Sequence, residues 1–392
     1  MTAGSRFIVI GMIFNLSFCF VPAAFSAFHS GGVGSCQGCH SGGHGSENGM
    51  QSSTASASPL LKASDPSSIC LNCHAGPGGA TSPSVFSFDG SALTPGGDFY
   101  WLTKTFTWNG GESPAASHGH NVVARDFGLE ADPLRTLAPG GTYPSSALGC
   151  TSCHDPHGRS SKGTAQGGLP LAGSGSYGET PAPGTEQGSY RMLGGAGYVS
   201  NGFSFTNPAP VARQNPALPF AESDTSHVDY GSGMSAWCGN CHNGILNSSH
   251  KAGGGFEHPV DEPLGTELSG SYNSYLSSGN LNGINPTAFL QFVPFERGAN
   301  DPQLLDPTST NGPEATAVVT CLTCHRAHAT AFPAAGRWDF DAPLLVDSHP
   351  AVGDSGVSGN DVNNSYYGRD ITTEFGAAQG QFCEKCHSSG TP

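Results

Sequence analysis

The chain has 392 residues and a formal net charge of −15, with 30 Asp and Glu against 15 Lys and Arg, an acidic balance that argues against nucleic acid as a partner and favours solubility. Leu, Ile, Val and Phe number 25, 7, 17 and 22, about 18% of the chain and below the roughly 20% at which a polypeptide struggles to build its own core. The 57 Gly and 29 Pro interrupt every stretch that could extend into a long helix or broad sheet, so a conventional core of side chains alone is excluded.

In chain order, residues 7–25, FIVIGMIFNLSFCFVPAAF, form an apolar stretch behind Arg6 that reads as a secretory signal cleaved near Ala24 to Phe28. Residues 1–27 are thus assigned to the signal and 28–392 to a single domain. Pro22 and the small residues near the end of the stretch favour cleavage over retention as a membrane anchor. Cys19 falls inside it, and Phe18 occupies the place where a lipoprotein signal expects a small residue. Six copies of Cys-x-x-Cys-His follow: Cys36, Cys39 and His40; Cys70, Cys73 and His74; Cys150, Cys153 and His154; Cys238, Cys241 and His242; Cys321, Cys324 and His325; Cys383, Cys386 and His387. Between them, Trp101 to Trp108 alternates enough to predict a strand, and Gly158 to Gly188 is rich in Gly, Ser and Pro and predicts a long loop. Tyr272, Tyr275 and Leu276 have helical spacing, as do Phe289, Leu290, Phe292 and Val293.

Cys-x-x-Cys-His is the attachment pattern of c-type haem. Two thiols add across the vinyl groups of one porphyrin, and the adjacent imidazole reaches the iron. His is 16 of 392 residues, so its recurrence after all six pairs by accident has a probability on the order of 10⁻⁸ to 10⁻⁹, whereas a zinc site, a redox dithiol or a disulfide framework requires no such His. Six covalent haem c groups are expected, their porphyrin faces supplying the apolar surface the chain lacks. The expected fold is a loop-rich multihaem cytochrome with few short helices and minimal strands, wrapped around a continuous chain of six stacked haems. Successive first cysteines are 34, 80, 88, 83 and 62 residues apart, which excludes a tandem array of identical modules.

The sixth coordination position separates carriers from catalysts, because an iron with two protein ligands has no place for substrate. Ten His remain besides the six proximal ones: His29, His44, His118, His120, His157, His227, His250, His258, His328 and His349. His44, His157 and His328 follow closely behind their own motifs. A separation of three or four residue steps spans at most about 10–14 Å, too little to wrap to the opposite face of the local haem, so each is expected to ligate a neighbouring one.

Stretches between the motifs carry a resemblance over nearly the whole chain: FHSGGV at Phe28, TPGGDF at Thr94, KTFTWN at Lys104, GHN at Gly119, APGGTYP at Ala138, CHDPHG at Cys153, YRMLGG at Tyr190, YGSGMSAWC at Tyr230, YNSY at Tyr272, CLTCHRAHA at Cys321, YYGR at Tyr366, together with CLNCH at Cys70 and the closing CEKCH. The chain resembles the hexahaem outer-surface c-type cytochromes that polymerise into extracellular nanowires, the OmcS-like cytochromes. The resemblance implies bis-His ligation throughout, with distal ligands His29, His44, His120, His157, His258 and His328, and His118, His227, His250 and His349 as bystanders. It also implies a helical homopolymer in which His44 is the candidate ligand donated in trans. Here the family's two-residue spacing before that His has become three, Ser41-Gly42-Gly43. A heterologous contact of this kind, repeated without closure, builds a fibre.

The expected function is extracellular electron transfer, without enzymatic turnover of a bound substrate. The protein is expected to be secreted, exported through the periplasm to an extracellular filament or the outer cell surface. Its partners are then redox cytochromes and external acceptors such as minerals, electrodes or other cells. The alternative is a soluble monomeric multihaem carrier of the periplasm or outer surface. A catalytic multihaem reductase, a third class, typically keeps one iron five-coordinate, and the supply of His and the absence of a Cys-x-x-Cys-Lys motif argue against it.

Overall fold

The computed structural model describes residues 36–39, 61–78, 83–156, 190–215, 221–247, 260 and 262–387. The expected secretory signal, the loop from Gly158 to Gly188, and His29, His40, His44, His157, His250 and His258 lie outside them. Within the described residues the helices are short: α1 (Cys36–Cys39), α2 (Pro66–His74), α3 (Met234–Asn247), α4 (Gly265–Ser274), α5 (Cys321–Cys324), α6 (Asp361–Ser365) and α7 (Ile371–Phe375), interspersed with 3₁₀ turns. Among the same residues the strands form three separate antiparallel pairs, β1 (Phe106–Trp108) with β2 (Gly111–Ser113), β3 (Val199–Ser200) with β4 (Phe203–Ser204), and β5 (Val211–Gln214) with β6 (Val228–Ser232). The loop-rich architecture expected from composition is the one observed. No described helix is long and apolar enough to cross a membrane.

Local chemistry sets where these elements begin and end. Asp65 caps α2 by accepting from Ser68 N at 2.9 Å, and Pro66 occupies the first turn, where its missing N–H costs nothing. The same carboxylate accepts from Arg125 N at 2.8 Å, tying the turn Arg125–Phe127 to the helix that carries the second motif. The strand predicted over Trp101 to Trp108 is realised only at its end, in β1. Asp98 accepts from the backbone N–H groups of Tyr100 (2.9 Å), Ser87 (3.0 Å) and Ala92 (3.1 Å). Those bonds wind Phe99–Thr103 into a 3₁₀ turn, overriding the β-propensity of its aromatics.

The helical spacing at Tyr272 is realised in α4, which stops at Ser274 with Tyr275 already extended at φ −73° and ψ 120°. The second predicted helix is absent. Phe289, Leu290, Phe292 and Val293 lie in an irregular segment and are all buried; Pro294 pushes Val293 away from helical geometry, and burying all four leaves no polar face for a helix to present.

Among the described residues, apolar packing is divided among three clusters. One gathers Tyr272, Phe289, Phe292, Phe332, Trp338 and Phe382 against Cys324, Cys383 and Cys386. The second holds Leu71, Phe86, Phe99, Trp101 and Phe106. The third centres on Tyr190, Tyr230 and Met234, with Cys153 and Trp237 at its edge. Cysteines of the motifs thus border the first and third clusters, as cofactor attachment points between small cores would.

Candidate haem-binding sites and axial histidines

Five imidazoles share one arrangement. Nδ1 of His74, His154, His242 and His325 donates to the carbonyls of Pro83 (3.0 Å), Arg191 (2.7 Å), Pro139 (2.8 Å) and Ala334 (2.8 Å), and Nδ1 of His120 to Ala327 O at 2.7 Å. A carbonyl can only accept, so the proton is fixed on Nδ1 and the Nε2 lone pair is left for a metal. Burial lowers the pKa of His74, His120 and His325 from the ordinary value, with the neighbouring His242 adding to the shift at His120. Burial thereby biases these three imidazoles toward the neutral form, the form in which they coordinate. His120 is nevertheless exposed at its surface, a combination that fits a ring lining a cradle.

Two pairs of histidine rings lie close together, tilted against each other in one and edge to face in the other. His120 lies 6.0 Å from His242 between ring centres, and His154 lies 6.3 Å from His328. Metal–imidazole bonds of about 2 Å put the centres of two opposed imidazoles on one ion roughly 6 Å apart. The donor set therefore fits bis-His iron at the third and fourth motifs. His328 stands opposite the third motif's His154 although it follows the fifth motif in sequence. Burial, then His154 and Arg191, lower its pKa to about 3. His387 of the sixth motif is half-buried.

The other described histidines differ. His118 is fully buried and spends both nitrogens, Nδ1 on Trp101 O (2.9 Å) and Nε2 on Ser113 Oγ (2.8 Å). His227 is buried with its ring 3.7 Å from that of Phe289. His349 bonds Asp354 at 2.6 Å and stacks on Trp108 at 3.8 Å.

The cysteine pairs follow one another through space in sequence order. Cys39 lies within electrostatic reach of Cys70, Cys70 touches Cys150, Cys153 senses Cys241, Cys238 touches Cys321, and Cys324 senses Cys383 and Cys386. Burial is the leading cause that pushes Cys153 and Cys324 up to about 12.

Sequence reasoning missed the devices that hold neighbouring motifs together. Cys150 N donates to Ser67 Oγ at 3.1 Å, and Cys321 N donates to Ser235 Oγ at 3.2 Å. Each Ser lies three residues before the first Cys of the second or fourth motif, and it grips the first Cys of the motif that follows. A Ser at that offset occurs before these two motifs alone, a signal that could have been read. Also missed was a buried ion cluster under the fifth motif. Glu222 accepts from Arg326 and, at 3.0 Å, from Arg337; Arg337 Nε donates in turn to Leu322 O at 2.7 Å. All three side chains are at most 1% exposed.

No family model matches the chain. It is 40% identical over 418 aligned residues to C-type cytochrome OmcS of Geobacter sulfurreducens, covering 94% of this chain and 95% of that one. Among solved structures it is similar to the OmcS nanowires of Geobacter sulfurreducens determined by cryo-EM, with a TM-score of 0.72, 38% identity, and coverage of 92% of this chain and 100% of that chain. A second filament, of Outer Membrane Cytochrome S from the same organism, gives a TM-score of 0.72 and 36% identity over the same shares.

Proposed function

The chain belongs to the OmcS family of c-type cytochromes, and on that premise we propose that it carries electrons outside the cell through six covalently attached haem c groups in a self-assembled filament. The cysteines of each motif would hold one haem. His40, His74, His154, His242, His325 and His387 would be the proximal ligands, and His29, His44, His120, His157, His258 and His328 the distal ones. Residues 28–392 would form one unit behind a signal at 1–27, with His44 donated to a neighbouring copy. When bound, haem c supplies a one-electron iron couple. The chain contributes neutral imidazoles in fixed tautomers, a row of motifs in sequence order, and clamps that keep successive motifs together.

The observation that carries this reading is the opposed spacing of His120 with His242 and His154 with His328. Two protein ligands on an iron favour electron transfer over catalysis at that iron. Carbon monoxide tests it. The reduced, native protein is expected to bind none; stoichiometric binding without denaturant would mean an open iron and an incorrect ligand assignment.

A further inference from the structure

The sixth motif differs from the other five in what lies between its cysteines. The inner pairs Gln37-Gly38, Leu71-Asn72, Thr151-Ser152, Gly239-Asn240 and Leu322-Thr323 are uncharged, whereas the sixth holds Glu384-Lys385. The two charges have opposite surroundings. Glu384 is half-exposed and accepts from Ser278 Oγ at 2.6 Å. Lys385 is 3% exposed. Its Nζ donates to the carbonyls of Tyr272 at 3.2 Å and Tyr275 at 3.1 Å and lies 4.2 Å and 5.6 Å from the centres of their rings.

Carbonyl dipoles and aromatic faces suit an ammonium, yet neither carries a net charge. Among the described residues Lys385 forms no ion pair, and Asp224, a carboxylate within its electrostatic reach, is itself bound by Arg369 at 3.0 Å. A buried cation beside the motif acts through a poorly screened interior, whereas the Glu384 carboxylate is screened by water and salt.

We propose that Lys385 sets the potential of the sixth site: an unpaired buried positive charge that favours the arriving electron and raises the reduction potential there. The inference rests on the reading that the sixth motif holds a haem. The step it affects is a single electron passing from a neighbouring site to the sixth, which adds one negative charge beside Lys385; no proton moves and no bond breaks. Lys385 is a positioning charge, not a ligand.

The test is a spectroelectrochemical titration of the purified holoprotein and of its K385Q, K385M, K385R and E384Q variants, with haem counted per chain in each. Gln is chosen because its amide can keep donating to the two Tyr carbonyls while the charge is lost. In K385Q or K385M one of the six couples is expected to move negative by about tenfold in its reduction equilibrium, 59 mV for a one-electron couple. K385R is expected to restore it, and E384Q to move it less than twofold. The proposal is overturned if the neutral variants keep six haems and six unchanged couples, if E384Q shifts a couple as far as K385Q does, or if both neutral variants lose the sixth haem, which would assign Lys385 to holding the loop. Fewer than six haems in the unmodified protein would instead overturn the reading of the motifs on which the inference stands.

Discussion

His118 and His120 stand two residues apart and have opposite surroundings. The first is sealed between Trp101 O and Ser113 Oγ, and the second bonds Ala327 O through Nδ1 with its ring centre 6.0 Å from that of His242. Replacing His118 by Ala is expected to lower stability by about 2–3 kcal/mol through lost packing and two orphaned buried groups, without creating a carbon monoxide site. Replacing His120 or His328 by Ala is expected to open one iron each, read as one carbon monoxide bound per chain in the reduced protein. Glu222 gives a different residue-scale prediction. Burial alone would raise its pKa, but Arg337 and Arg326 overcome that and hold it below the ordinary carboxylate value. A carboxylate with a depressed folded pKa stabilises above its unfolded pKa and loses that contribution as pH falls through the folded one. Glu222→Gln, which leaves two buried guanidinium groups unpaired, is expected to cost about 3–5 kcal/mol at neutral pH, and less as the medium is acidified below the glutamate range. Thermal melts across pH check both the size and the sign.

Among the elements, the Ser clamps are the smallest pieces that join one motif to the next. Ser67→Ala and Ser235→Ala are each expected to lower stability by about 1 kcal/mol by leaving Cys150 N or Cys321 N without its acceptor, and the double variant by the sum, since the two clamps are separate. Calorimetry on the holoprotein reads this directly. The same elements show what the sequence could reveal. Cys-x-x-Cys-His is local chemistry, so all six motifs were legible, and the Gly and Pro content foretold short elements. The pairing of His328 with His154 was not legible, because it depends on how the chain returns past the third motif. Phe289 to Val293 misled for a related reason: helical spacing there serves burial on every side, between Pro286 and Pro294. At Trp101 the buried Asp98 carboxylate, with three N–H donors to satisfy, decided the backbone instead of the aromatic side chains.

At the scale of the whole molecule, the described residues pack into three modest apolar clusters, and motif cysteines border two of them. On the proposed function, such a chain would gain its cooperative stability by burying cofactor, as metal-dependent small domains do. Expression without the haem-attachment machinery is expected to give no cooperative thermal transition; a cooperatively folded apoprotein would contradict this. The ordered succession of motifs and the likeness to two filament structures support the proposed wire of six haems per subunit, continuing from copy to copy. Cryo-electron microscopy of haem-loaded protein collected outside the cell, beside a His44→Ala variant, puts this wire to the test. Continuous filaments with six bis-His haems per subunit, lost in the variant, are the predicted result. Discrete particles from the unmodified protein at high concentration, or subunits carrying fewer than six haems, would contradict it.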